Sequence, residues 1–270
     1  MSDWQLSQAW DTGDGVVRWD AFGSGPPLVL LHGTPFSSYI WRDIAPVLAK
    51  NHRVYVWDML GFGASEAHSE DLSLTRQAHI FADLLHLWNL KNPKVIAHDV
   101  GGVVALQVAV LGRVSFESLT LINAASVPGW GSAGFFQAVH QHPEAFELLP
   151  AWALDTLIEA KLRSGSHGGL RPRALDRYMT QWKRQHGRSA FIRQYAQGGE
   201  EHSASFQDGL AHLDFPLRVI WGAEDEWMNL DYARKLVQSL PAHTELSIIA
   251  GAGHAVPEDQ PGALLAVLGA

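Results

Sequence analysis

Short apolar, β-branched runs recur along the chain with longer amphipathic stretches between them. That alternation is the pattern of a mostly parallel sheet covered by helices on both faces. The runs predicted as strands are Val16–Ala21, Leu28–His32, Arg53–Asp58, Lys94–His98, Ser118–Asn123, Leu217–Gly222 and Glu245–Ala250. Apolar spacing and length predict helices over Tyr39–Lys50, Leu74–Leu90, Val100–Leu111, Asp231–Leu240 and Ala263–Leu268. Ser73 and Asp231 stand where helix caps are expected. Between about Ala125 and Asp214 the rhythm breaks, and amphipathic pieces replace the β runs. Val127-Pro128-Gly129 opens that region, and the sheet rhythm resumes after Phe215-Pro216. The expected organisation is an α/β core made of residues 1–124 and 215–270, with a helical lid, or cap, inserted at 125–214. Gly165–Gly169 is expected to be a loop inside the insert.

A chain of 270 residues, 47% hydrophobic and 18% charged, suffices for one large domain or one domain carrying an insertion, and is short for two independent ones. With 20 Lys and Arg against 28 Asp and Glu, the formal charge of −8 offers nothing to a phosphate backbone or an anionic membrane face. Nucleic acid and membranes are therefore not expected partners. The absence of Cys excludes disulfides, thiolate metal sites and a Cys nucleophile, and suits a reducing cytosol. Met1-Ser2-Asp3-Trp4 lacks the charged and then apolar stretch of a signal peptide, so a cytoplasmic location is expected. No run approaches the length of a membrane span. The 11 Trp and 14 His read as an aromatic-rich interior rather than a metal protein.

The stretch richest in chemistry is Pro93-Lys94-Val95-Ile96-Ala97-His98-Asp99-Val100-Gly101-Gly102. A strand enters a tight turn with small residues two before and two after Asp99, and the chain then enters an apolar helix. Such a turn pushes its central side chain out above the sheet, over the partial positive charge of a helix N-terminus. Upstream, Leu30-Leu31-His32-Gly33-Thr34-Pro35 follows a predicted strand. Near the end, Trp221-Gly222-Ala223-Glu224-Asp225 follows one strand and Gly251-Ala252-Gly253-His254 the next.

On these four blocks the chain resembles an α/β-hydrolase from Leu28 to its C-terminus. Asp99 stands where most of the family has Ser, as in the aspartate-nucleophile branch of epoxide hydrolases and haloalkane dehalogenases. The resemblance implies Asp99 as nucleophile, His254 as base and Asp225 as the acid orienting it. It further implies the backbone N–H groups of Thr34 and Val100 as oxyanion donors. Plainer roles compete with each of these. Asp99 is also a good N-cap residue, and His254 is one of many histidines. Asp225 shares its loop with Glu224 and Glu226, and Asn123 holds the position where part of the dehalogenase branch places its acid, though an amide cannot fill that role.

A carboxylate attacks carbonyls poorly but attacks an sp³ carbon with a strained or good leaving group, which points to an alkyl ester on Asp99 that a His254-activated water hydrolyses. No cofactor or metal is required, and the expected partner is a small apolar substrate; a homodimer is left open. Epoxide and halide need different help. The dehalogenases that the chain resembles place Trp after the nucleophile, where Val100 stands here, and the fluoroacetate-cleaving relatives place Arg there. Similar epoxide hydrolases supply lid tyrosines, for which Tyr178 and Tyr195 are the candidates. Their oxyanion loop usually has an aromatic residue where Thr34 stands. Phe36, Trp130, Phe135, Phe136 and Trp152 are expected to make the pocket apolar. Epoxide opening is preferred. The alternatives are a dehalogenase with lid-supplied halide donors such as Trp130, an ester or lactone hydrolase, and a non-catalytic small-ligand binder on the same scaffold.

Overall fold

The computed structural model describes residues 4–112, 114–131 and 134–270. The first half contains β1 (Gln8–Asp11), β2 (Gly15–Phe22), β3 (Pro27–Leu31), α1 (Ala45–Leu48), β4 (Arg53–Trp57), β5 (Glu66–Ala67), α2 (Leu74–Leu87), β6 (Lys94–His98), α3 (Val100–Val110) and β7 (Ser118–Ile122). Then come α4 (Gly134–Gln141), α5 (Pro143–Glu147), α6 (Ala151–Ser164), α7 (Pro172–Lys183), α8 (Gly187–Ala196) and α9 (Glu201–Ala204), and a 3-10 turn at Gln207–His212. The chain ends with β8 (Leu217–Gly222), α10 (Leu230–Ser239), β9 (Glu245–Ile249), α11 (Val256–Asp259) and α12 (Pro261–Leu268).

The strands form one sheet in the order β1-β2-β4-β3-β6-β7-β8-β9, with β5 on the edge of β2. From β4 to β9 all neighbours run parallel, whereas β2 is antiparallel to both β1 and β4. The central strands carry no alternation, because both faces are covered: Leu28–Leu31 and Val95–His98 are buried throughout. Helix α3 packs on β3 and β6 with α2 beside it. Val100 to Val108 of α3 are all buried, as expected of a helix that is apolar on every side. The chain lays β4 on one side of β3 and then crosses to β6 on the other. At such a reversal the loops at the carboxyl ends of the strands diverge and leave a crevice.

The predicted strands match β2, β3, β4, β6, β7, β8 and β9 to within a residue at each end. Two strands escape the periodicity reading, β1 because it is a mostly exposed edge and β5 because it is only two residues long. The predicted helix Tyr39–Lys50 is instead a 3-10 turn at Ser38–Trp41 followed by α1. Pro46 is the reason, since it has no N–H to continue a helix begun before it and sits in the first turn of a new one. Helix α2 begins on the expected Ser73, whose hydroxyl accepts from the Arg76 N–H. It ends before the predicted Leu90, where Asn89 turns to positive φ. The cap of α10 is Asn229 rather than Asp231; its side-chain oxygen accepts from the N–H groups of Asp231 and Tyr232.

Between β7 and β8 the described residues contain no strand. Leu154, Ile158 and Leu162 repeat every fourth residue on α6 and are buried, and α7 packs against both α6 and α8. Leu148 and Trp152, at the junction of α5 and α6, are 85% and 73% exposed, so Trp152 is not a pocket residue. No helix among the described residues is long and apolar enough to cross a membrane.

Candidate active site

Asp99 occupies the turn between β6 and α3 with φ 53° and ψ −126°, a backbone conformation that costs an L-residue energy and persists only where the surroundings enforce it. Its neighbours show what enforces it. A Cβ on Gly101 would lie 2.5 Å from the His32 carbonyl oxygen, and one on Gly33 would lie 2.3 Å from the Asp99 Cβ. The Asp99 side chain makes no capping bond to α3, so the capping role is not the one it fills. Instead the Thr34 N–H donates to Oδ2 at 2.7 Å. The Thr34 hydroxyl is turned aside, donating to Gln194 Oε1 at 2.8 Å.

His254 follows β9 and lies between two carboxylates. Its Nδ1–H donates to Asp225 Oδ2 at 3.0 Å, and its Nε2 lies 3.5 Å from Asp99 Oδ1 with no hydrogen bond of its own. All three side chains are buried. Asp225 Oδ1 also accepts from the N–H groups of Trp227 and Met228, at 2.8 and 3.0 Å. Glu224 and Glu226 do not compete: Glu224 accepts from the Ala252 N–H, and Glu226 is exposed. Asn123, at the end of β7, donates to Asp225 Oδ2 at 2.6 Å while its Oδ1 accepts from the Gly222 N–H at 3.1 Å. It thus holds Asp225 from the end of the neighbouring strand, a contact that the sequence reading missed.

Burial alone would raise the pKa of Asp99, but the His254 ring close beside it and the Val100 N–H hold it below the ordinary carboxylate value. Asp225 is likewise lowered: burial opposes, and His254, the Met228 N–H and Asn123 prevail. Burial works against the His254 imidazolium, but the two carboxylates outweigh it and raise the pKa to about 9. The two carboxylates therefore favour the charged form of the His254 ring between them. His98, whose Nε2–H donates to the His254 carbonyl at 3.0 Å, is driven by burial and by the His254 charge down to about 4 and stays neutral. Asp259 clamps the base loop from below. It accepts from the Gly253 N–H at 2.8 Å and from the His167 N–H at 2.9 Å, with the Ser166 hydroxyl on its other oxygen. The Ala255 N–H completes the link by donating to the Gly165 carbonyl at 2.7 Å.

Asp99 and His254 open onto a cavity of about 350 Å³. Thr34 and Val100 line it from the core, Trp130, Phe135, Phe136, Lys161 and Tyr195 from the helical segment, and Trp227 from the Asp225 loop. Of the two tyrosines proposed from sequence, only Tyr195 lines the cavity. It is buried, and its hydroxyl makes no well-formed hydrogen bond. Burial and the Asp99 charge raise its pKa, with Thr34 opposing them, so the phenol keeps its proton at neutral pH. Tyr178 is displaced from the expected site, because its hydroxyl donates to Glu258 at 2.5 Å and its ring packs edge-on against Phe36 and Tyr39. Phe36 is one layer behind the cavity, against His98 and Trp227. Trp130 forms part of the wall, but its N–H is directed at Ser203. Lys161 was not anticipated; an amphipathic helix gives no sign of which polar side chain turns inward. Among the described residues no group of three or more His, Asp or Glu side chains is arranged to hold a metal ion.

A strained strand-to-helix turn carrying a buried carboxylate, with a second carboxylate and a histidine on successive strand ends, defines a class. Residues 26–261 match the alpha/beta hydrolase fold family, and the chain belongs to it. An alpha/beta hydrolase fold protein from Burkholderia ambifaria superposes with a TM-score of 0.94 at 38% identity, over 99% of this chain and 98% of that one. The soluble epoxide hydrolase of Corynebacterium sp. (strain C12) is 38% identical over 112 residues, 42% of this chain and 38% of its own length. The epoxide hydrolase CorEH, 23% identical over 97% of this chain and 96% of that one, shares the fold with a TM-score of 0.77. The protein is thus an alpha/beta-fold hydrolase.

Proposed function

We propose that this hydrolase opens epoxides of small, largely apolar molecules to diols through an ester on Asp99. The observation that carries the reading is the sharing of one cavity by the Asp99 carboxylate and the unpaired, protonated hydroxyl of Tyr195. In the first step Asp99 Oδ1 attacks an epoxide carbon, its C–O bond breaks, and the departing oxygen takes the Tyr195 proton. Neutralising Asp99 also removes the charge that disfavours the Tyr195 phenolate, at the moment the proton leaves.

The same event prepares the second step. Part of what holds the His254 proton is the negative charge of Asp99. Once that charge is lost in the ester, the imidazolium gives its proton to the Tyr195 phenolate and its Nε2 becomes a base. It takes a proton from water, the hydroxide attacks the ester carbonyl, and the resulting oxyanion is received by the N–H groups of Thr34 and Val100. The ester C–O bond breaks, the leaving alkoxide takes the proton of the re-formed Asp99 carboxyl, the diol leaves, and His254 is again an imidazolium beside two carboxylates. Asp225 keeps the imidazole in the required tautomer throughout.

Halide departure fits the cavity less well. A leaving halide needs inward-facing weak donors, and the two indole N–H groups bordering the cavity are occupied, Trp130 by Ser203 and Trp227 by Ser164. A pure binding protein would have no use for a base hydrogen-bonded to a buried acid beside an elbow carboxylate.

The test is mass spectrometry on His254→Ala after incubation with epoxides, haloalkanes and activated esters. A stable adduct on Asp99 from an epoxide is the expected result. No adduct on Asp99, while the wild-type protein turns over one of the compounds, would make the carboxylate a base or a bystander.

A further inference from the structure

Among the described residues, the cavity contains one cation that the two-step reaction does not use. Lys161, in the last turn of α6, lines it beside Asp99, Tyr195 and Trp227. Its Nζ lies 3.1 Å from the centre of the Trp227 ring, and that indole stacks on His254 with ring centres 4.4 Å apart. Among the described residues the ammonium has no ion-pair or hydrogen-bond partner, only the ring. A lysine placed merely to suit the negative end of a helix dipole would reach into solvent, as Arg163 on the same turn does, where it pairs with Glu159. A cation turned inward without a counter-ion is costly. Burial lowers the Lys161 pKa to about 8, with Asp99 and Asp225 opposing, so most of the population is still charged at neutral pH.

We propose that Lys161 binds a carboxylate carried by the substrate, which makes the substrate class an epoxide that is also an organic acid. The electrophile in that statement rests on the function proposed above; the carboxylate site stands on Lys161 itself. The arrangement also fixes direction. With the acid group on Lys161, the apolar body of the substrate lies along Trp130, Phe135 and Phe136 and the electrophilic carbon faces Asp99. The reverse orientation would bring two carboxylates together. Glu226 borders the cavity as well, but it is exposed and its charge is screened by water.

The test uses hexanoate and hexanamide, two probes of nearly equal shape that carry no electrophile, titrated calorimetrically into the full chain at pH 7 and low salt. Hexanoate is expected to bind at least about tenfold more tightly than hexanamide, as a charge-assisted contact in a shielded site allows. The ratio falls toward one in Lys161→Met and persists in Lys161→Arg. In the wild-type protein it shrinks as pH rises through about 8, which supplies the same answer without any variant. Equal affinities, a preference that survives in Lys161→Met, or no binding of hexanoate at about 10 mM would each overturn the assignment. Because neither probe can alkylate Asp99, the epoxide reading and the carboxylate site fail independently: the adduct experiment tests one and this titration the other.

Discussion

The strand ends of the core and the helical segment that completes the cavity contribute to the same chemistry by different means. Each core group is fixed by backbone: Asp99 by a strained turn against glycines, Thr34 and Val100 through their own N–H groups, His254 and Asp225 by the loops that follow β9 and β8. The helical groups, Tyr195 and Lys161, reach the cavity only because one face of a helix happens to turn inward. On the function proposed here, the core sets the reaction and the helices set what undergoes it.

Substitution on the two sides should separate these contributions. Asp99→Ala is expected to lower kcat by about 10⁴-fold or more while the circular dichroism spectrum stays native, because no other group replaces the nucleophile. Retained turnover would show that the core does not specify the chemistry. Tyr195→Phe should slow ester formation from epoxides by about 10²-fold, the usual worth of a positioned acid, in single-turnover measurements. A haloalkane, whose leaving group needs no proton, should react at nearly the wild-type rate. Asn123→Leu removes a donor from Asp225 without touching the cavity, and a loss of about tenfold in kcat is expected with an altered pH–rate profile. A loss without any change in the profile would reduce Asn123 to packing.

The triad also leaves a mark on stability. The folded-state pKa of His254, about 9, lies above the unfolded imidazole's 6.5, so the charged pair stabilises the fold fully below about pH 6.5. That contribution is lost as pH rises through about 9, and the Tm should decline across this window more steeply in the wild-type protein than in His254→Ala. Parallel declines would show that the imidazolium is not held as described. The smallest effect is expected from Trp152→Ser, at a side chain standing in solvent outside the cavity. Its kcat/KM should stay within about twofold of wild type, as at most exposed positions.

The same division separates what is legible in the sequence from what is not. The elbow, the oxyanion loop and the acid and base loops were legible because each is a short backbone grammar of small residues and strand ends that admits few other geometries. The sequence left Glu224 and Glu226 beside Asp225 as candidates, and the hydrogen bond to His254 is what distinguishes Asp225. The helix across Tyr39–Lys50 was misread because apolar spacing outweighed Pro46, a local breaker. Tyr178 and Tyr195 looked alike in sequence, both being tyrosines on amphipathic helices. Only tertiary packing gives one of them Glu258 as a partner and leaves the other unpaired over Asp99. Lys161 was invisible for a related reason: a lysine near a helix C-terminus has an ordinary explanation, and nothing local distinguishes the one that turns inward from Arg163, which does not.

The Asp259 clamp has a consequence for engineering. Through one carboxylate and the Ala255–Gly165 bond, the α6–α7 connection and the loop bearing His254 are joined into a single piece. The segment between β7 and β8 is therefore not an exchangeable module. Grafting a relative's segment in its place would change the cavity and also unseat His254, unless the Gly165–Gly168 backbone were transplanted with its Asp259 contacts intact.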